Sequence, residues 1–155
     1  MEKLNKTVHT EKGRTLTELV LRIFHINGQI LSGGDDLTRE FNLTSALWQI
    51  MGAVSDAPLP MAQIARKMGL ARQSVRRSAI ILEKKGFVRF MDNPDHKRAN
   101  LLTLTVEGME ILERVRGKEA EMVNRLSNDM DIVDLKTAIR IINQLSENLS
   151  NNMTK

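Results

Sequence analysis

A turn-forming glycine, Gly69, separates two stretches whose apolar residues recur at helical spacing, and two strand-like stretches follow them directly. The first helical stretch opens at Pro60, whose missing N–H is not needed in the first turn of a helix. The second ends at Gly86, a residue type suited to the positive φ that closes a helix. Residues 87–91 and 101–105 then read as paired strands around a turn-rich polar loop. The order predicts a helix, a tight turn, a second helix and a two-stranded hairpin.

Positive charge is concentrated in this same segment of the chain. Between residues 60 and 98 there are ten Lys and Arg residues and three acidic residues, a local net charge of +7. The rest of the chain has a net charge of −3, so the overall charge of +4 comes from the middle of the sequence. Such a patch indicates a polyanionic partner, because its field attracts phosphates and is not cancelled locally.

The second helix of this segment has one apolar side and one polar side. At 100° per residue, Val75, Ala79 and Leu82 fall close together and form the side predicted to be buried. The opposite side carries Gln73, Arg77 and Lys84, flanked by Arg76 and Ser74, with Ile80 also turned outward. The hairpin tip repeats the positive charge with Lys97 and Arg98.

A DNA-binding winged helix requires this arrangement, in which a helix enters the major groove and a cationic loop reaches the minor groove or the phosphates. A basic helix face that is merely solvated is the alternative. The second cluster of positive charge at the hairpin tip argues against it, so the segment is predicted to bind double-stranded DNA.

Helical patterns also precede this segment. Residues 15–31 have an apolar stripe wide enough to be buried on two sides, as at a subunit interface, and residues 33–36 are predicted to end that helix in a loop. Thr44 or Ser45 can cap a further helix that runs to about Val54.

Two more helices are predicted after the hairpin. Thr105 can cap a long helix from Val106 to about Leu126. A last helix, from Ile132 to about Leu149, has the narrow apolar seam that is typical of helices packed on another helix.

Composition excludes several classes of function. The chain has no cysteine, which excludes disulfides, cysteine-ligated zinc and thiol-based sensing, and its three histidines are dispersed, so no metal or other cofactor is expected. No phosphate-binding loop, nucleophile elbow or metal-hydrolase motif occurs, so no enzyme is expected. Because no apolar run approaches the roughly 20 residues of a membrane span and the N-terminus lacks a signal sequence, a cytoplasmic protein without a membrane partner is expected.

Residues 43–112 resemble the MarR (multiple antibiotic resistance regulator) family of winged-helix transcription factors. The matching segments are LTSALWQIMGAV, LPMAQIARKMGLARQSVRRSAIILEKKGFVRF, DNPDHKRANLLTLT and VEGMEIL. The resemblance implies a mainly α fold with a small β-hairpin wing, and a homodimer whose terminal helices interlock and whose two recognition helices read a palindromic site. Residues 1–155 would form a single domain, with a DNA-binding lobe at 43–105 and dimerisation helices at 15–33 and 106–149.

The resemblance also implies roles for individual residues. Arg72, Gln73, Ser74 and Arg77 would enter the major groove, Arg76 would contact phosphate, and Lys97 and Arg98 would form the wing contacts, Arg98 matching the characteristic wing arginine. Arginine and glutamine suit this place because they pair bidentately with guanine and adenine respectively.

Two positions depart from the pattern of the family. Ala71 stands where a Ser or Thr usually caps the recognition helix, which removes a cap and one potential phosphate contact. His96 stands where many members have an aspartate before the two basic residues, although Asp95 is adjacent; His96 is expected to be a solvent-exposed loop residue, with a phosphate contact as the alternative.

Many MarR-like proteins respond to a small ligand between the dimerisation helices and the DNA-binding lobe. His25, Trp48 and Met51 are the candidates for lining such a cleft here, with ordinary core or interface packing as the favoured explanation. The function expected is a sequence-specific transcriptional regulator, a repressor, released by a small-molecule ligand. The alternatives are ligand-independent or architectural DNA binding, and a winged helix used for protein contacts, which would explain an exposed Ile80.

Overall fold

A computed structural model describes residues 9–96 and 99–152, which form six α-helices and three short strands. In chain order these are α1 Glu11–Thr38, α2 Ser45–Ala53, β1 Leu59–Pro60, α3 Met61–Met68, α4 Arg72–Lys84, β2 Val88–Met91, β3 Leu101–Leu104, α5 Val106–Leu126 and α6 Ile132–Asn152, with a 3₁₀ turn at Arg39–Phe41 after α1. Among the described residues, no helix is long and apolar enough to cross a membrane.

The chain divides into two compact units, Met1–Arg116 and Gly117–Lys155. The first unit holds α1 to α4, the sheet and the first half of α5, and it contains the hydrophobic core. The second unit holds the rest of α5 and all of α6, and none of the residues of α6 is buried. The division into a DNA-binding lobe at 43–105 and dimerisation helices on either side stays a prediction.

The loop predicted at residues 33–36 is wrong, because α1 continues through it to Thr38. Gly34 is buried, and a Cβ built on it would lie 2.6 Å from the Ser45 Oγ, so the glycine permits a close approach of α2. Asp35 accepts a hydrogen bond from the Ser45 N–H at 2.6 Å, and the buried Thr38 hydroxyl donates to the carbonyl oxygen of Leu43 at 3.0 Å. The residues with loop composition form a junction between α1 and α2 instead.

The core of the first unit forms where α2, α3, α4 and the sheet meet. The Thr44 side chain caps α2 by accepting from the Leu47 N–H at 3.3 Å, which confirms the predicted start of this helix. Fully or almost fully buried side chains in this core include Ile50, Met51, Ile64, Val75, Leu82, Leu102, Leu112 and Val115. The apolar face predicted for α4 therefore points into the core.

The sheet has three strands in the order β1-β3-β2. Val88 pairs with Leu104 and Phe90 with Leu102, as the alternation of the two strands predicts. The strand β1 was not predicted, because two residues are too few to show the alternation of apolar and polar side chains that marks a strand. Its second residue, Pro60, pairs with Leu101 and directly precedes the first residue of α3.

A compact junction links the end of α4 to the start of α5. Gly86, with φ of 79°, follows α4, and the Phe87 N–H donates to the Leu82 carbonyl at 3.0 Å, which closes the helix as predicted. The Thr105 hydroxyl donates to the Gly86 carbonyl at 2.6 Å and accepts from the Gly108 N–H at 3.0 Å, so Thr105 caps α5 as predicted. These hydrogen bonds hold the end of α4, the start of β2 and the start of α5 together.

Candidate nucleic-acid interface

The helix α4 presents the predicted basic residues to solvent. Its 13 residues bury Val75, Ala79 and Leu82, each with 0% exposed surface, against the core. Arg72, Gln73, Arg76 and Arg77 are exposed on the remaining surface, whereas Ser74 is half-buried. Because the buried side is anchored, the polar side keeps a defined orientation toward a partner.

A groove of about 590 Å³ runs between α4 and the base of the wing. Its lining residues are Pro60 from β1, Met61 and Ala62 from the start of α3, Arg72, Gln73, Arg76 and Ile80 from α4, and Phe90, Ala99 and Asn100 from the wing. The structure thus brings Arg72, Gln73 and Arg76 together on one rim, and it leaves Ser74 and Arg77 outside the lining. Ile80, 38% exposed on the outer side of α4, also lines this groove.

Among the described residues, none of the Lys and Arg side chains of residues 60–105 forms an ion pair with an acidic side chain. The ion pairs between described residues are Arg22 with Glu18, Arg39 with Asp36, and Arg116 with Glu113, and all of them lie outside residues 60–105. The positive charge of α4 is therefore not neutralised by neighbouring carboxylates and stays available to an external polyanion.

The first turn of α4 lacks a side-chain cap. Ala71 occupies the N-cap position with extended backbone and no side-chain hydrogen bond, as expected from its departure from the family pattern. The first backbone bonds of the helix run from the N–H groups of Ser74 and Val75 to the Ala71 carbonyl.

Replacing Ala71 with serine is expected to raise the free energy of unfolding by about 1 kcal/mol, because the hydroxyl would accept one of the unpaired N–H groups of the first turn. Equilibrium unfolding in urea measures the change. Threonine at the same position should act in the same direction, and a serine variant less stable than the wild type would contradict the expectation.

Part of the wing tip lies outside the described residues, and with it the predicted contacts Lys97 and Arg98. The described flanks are held by Asn93, whose side chain donates to the Ala99 carbonyl at 3.0 Å and accepts from the Asp95 N–H at 3.0 Å. Sequence reasoning missed Asn93, although an asparagine before a proline is a common start of a turn and could have drawn attention to it. His96 is exposed, as predicted.

The three candidate ligand residues lie in different surroundings. His25 is exposed on α1, Trp48 is half-buried at the edge of the core, and Met51 has 0% exposed surface. None of them lines the groove beside α4. Within residues 9–96 and 99–152, no group of three or more histidine, aspartate or glutamate side chains is placed to hold a metal ion.

Comparison with known proteins adds to this geometry. The family model described as MarR family matches residues 41–99, which include α2, α3, α4 and most of the wing. An uncharacterised protein of Mycobacterium tuberculosis is 33% identical over 116 residues, covering 75% of this chain and 81% of that protein. The chain belongs to the MarR family.

Solved structures of MarR-family regulators share the fold. The regulator AbsC from Streptomyces coelicolor superposes with a TM-score of 0.79 at 17% identity, covering 94% of this chain and 99% of its own. Staphylococcus aureus MarR in complex with salicylate and kanamycin gives a TM-score of 0.76 at 18% identity, covering 89% and 94%. The mainly α winged-helix fold is thereby confirmed, and the family and the fold are those of DNA-binding transcription regulators.

Proposed function

We propose that this MarR-family regulator is a cytoplasmic repressor that binds a palindromic operator as a homodimer and is released by a small-molecule ligand. The observation that carries the DNA-binding part is the unpaired positive charge on the exposed side of α4, adjoining the base of the wing. A 13-residue helix is about 20 Å long, so its N-terminal half can enter a major groove while the rest reaches the flanking phosphates.

Arg72, Gln73 and Arg77 are the proposed base contacts, with Ser74 beside them and Arg76 on phosphate. Arginine pairs with the O6 and N7 atoms of guanine, and glutamine pairs with the N6 and N7 atoms of adenine. Their position in the first turns of α4 supports this role, since the N-terminal residues of a recognition helix meet the base edges.

Unpartnered apolar surface supports a homodimer. On α6, Ile139 is 60% exposed, Ile142 49% and Leu149 55%, and on α1, Phe24 is 71% exposed. Soluble monomers rarely expose apolar side chains along whole helices, and the seam on α6 has the spacing of helix-to-helix contacts. A second copy of the chain, joined through these helices, would bring two α4 helices to the same DNA duplex.

Two observations support release by a small ligand. The Staphylococcus aureus relative of similar fold was solved with salicylate and kanamycin. In this chain, His25 and Trp48 offer accessible rings, whereas the buried Met51 would contact a ligand only after the core of the first unit opened. Thermal unfolding with and without candidate ligands tests this part, because a ligand that binds the folded state raises the melting temperature.

Fluorescence anisotropy with labelled DNA from upstream of the protein's own gene tests the main proposal. Tight binding that unlabelled specific duplex displaces far better than unrelated duplex would support a sequence-specific regulator. Equal displacement by both duplexes would indicate an architectural protein. Absence of any binding would favour a winged helix used for protein contacts and would overturn the proposal.

Replacing Arg98 with alanine is expected to weaken operator binding by about tenfold or more and to reduce the salt slope of log K by about 1, because one phosphate contact and its released counterion are lost. Anisotropy titrations over several salt concentrations measure both quantities. Arg39→Ala, between the proposed dimerisation helix and the DNA-binding lobe, is the matched control, since it removes the same charge from a side chain that is 78% exposed and makes only a surface ion pair. An unchanged slope for Arg98→Ala would contradict the wing assignment.

A further inference from the structure

The loop between β2 and β3 is organised around one side chain. Nine residues separate Met91 from Leu101, which are themselves paired in the sheet. Within this loop, the half-buried Asn93 donates from Nδ2 to the Ala99 carbonyl at 3.0 Å, near the far end of the loop. Its Oδ1 accepts the Asp95 N–H at 3.0 Å on the near side.

Two backbone hydrogen bonds within the loop add to these side-chain bonds. The His96 N–H donates to the Asn93 carbonyl at 3.2 Å, and the Ala99 N–H donates to the His96 carbonyl at 3.0 Å. Pro94 restricts the first of these turns, because its ring sets φ at the second position. Asn93 therefore takes part in three of these four hydrogen bonds, and its Nδ2 bond to Ala99 joins the two sides of the loop.

We propose that Asn93 is a positioning residue of the DNA contact, which joins the described residues on either side of the wing tip before DNA arrives. This inference rests on the proposed function, in which the basic pair between His96 and Ala99 in the sequence contacts the duplex. A nine-residue polar loop without this link would lose its conformational freedom on binding, and that loss would subtract from affinity. With Asn93 in place, part of that conformational freedom is already lost when the protein folds, so less is lost when DNA binds.

A residue that orders the loop and a residue that contacts DNA affect the salt dependence of binding differently. The slope of log K against log salt counts the phosphates that are neutralised. Loss of a contacting cation lowers both affinity and slope. Loss of a residue that only orders the loop lowers affinity and leaves the slope unchanged, because the same cations still reach the same phosphates.

Asn93→Ala and Asn93→Ser test the proposal in the full-length protein, with the same labelled duplex. Alanine removes both side-chain bonds and should weaken binding by about five- to tenfold with an unchanged salt slope, while the melting temperature falls by no more than a few degrees. Serine should recover part of the affinity, because its hydroxyl can still accept the Asp95 N–H but is too short to reach Ala99. Hydrogen exchange of the Asp95 amide without DNA should be faster in the alanine variant.

The outcomes separate this inference from the function on which it rests. Wild-type protein that binds the duplex while Asn93→Ala binds equally well would overturn the positioning role and leave the proposed function intact. A reduced salt slope for Asn93→Ala would also overturn it, because Asn93 would then affect the contacts themselves. Wild-type protein that binds no duplex would overturn both.

Discussion

Replacing Gly108 with alanine is expected to lower the free energy of unfolding by about 3 kcal/mol or more. Gly108 is buried in the first turn of α5, where an added Cβ would collide with the carbonyl oxygen of Phe87. The obstacle is backbone, which cannot rotate away as a side chain would, and the same oxygen accepts the Thr105 N–H at 3.1 Å. To relieve the collision, the start of α5 would have to move away from Phe87, which would break the contacts that join α4, β2 and α5. Urea unfolding followed by circular dichroism measures the loss.

Gly117→Ala is the matched control on the same helix. No atom lies within 4 Å of a Cβ built at Gly117, so this change is expected to raise stability by up to about 1 kcal/mol through the better helix propensity of alanine. Opposite signs for the two variants would locate the effect in the contact with Phe87. Equal stability of Gly108→Ala and the wild type would show that α5 does not approach Phe87 this closely.

The double substitution Ile139→Glu and Ile142→Glu is expected to make the protein monomeric at micromolar concentration and to weaken operator binding by about 100-fold or more. Both side chains are exposed on the apolar seam of α6, and burying a carboxylate there against a second copy would be strongly unfavourable. A monomer would read one half-site and lose the gain from binding two linked sites. Light scattering measures the mass, and anisotropy measures the affinity.

A control with the same added charge shows whether the effect depends on the apolar seam or on adding charge anywhere on α6. Thr137 and Gln144 are exposed and lie roughly opposite Ile139 at 100° per residue. Thr137→Glu with Gln144→Glu is expected to stay dimeric and to bind DNA nearly as well as the wild type. A monomeric wild type, or a dimeric seam variant with unchanged affinity, would contradict the proposed interface.

The recognition helix could be predicted in detail from local sequence. Periodicity alone placed Val75, Ala79 and Leu82 in the core, and all three are fully buried. The same helical periodicity predicted that the arginines and Gln73 of α4 face outward. Once one side of a helix is buried in the core, the residues on its opposite side must face solvent. The register of β2 and β3 was likewise accessible, since alternation lets only one set of side chains face the core.

Three features depended on contacts between residues distant in sequence. α1 continues past Gly34 because Ser45 approaches it and Asp35 bonds to α2, whereas the local composition resembles a loop. The strand β1 exists because β3 pairs with it. The groove beside α4 needs the start of α3, the outer side of α4 and the base of the wing together. None of these contacts can be predicted from a short stretch of neighbouring residues, because the partners are distant in sequence.

Local sequence was sufficient to locate the positive charge, the apolar side of α4, and the residues Thr44, Gly86 and Thr105 that cap or end α2, α4 and α5. These properties follow from backbone geometry and from residues within a few positions of one another. The tertiary structure alone decided which polar groups found distant partners, which glycines permit close approach, and that Arg72, Gln73 and Arg76 share one groove with Ile80. Those outcomes depend on the packing of whole elements, where a gap of one ångström changes an acceptable neighbour into a collision.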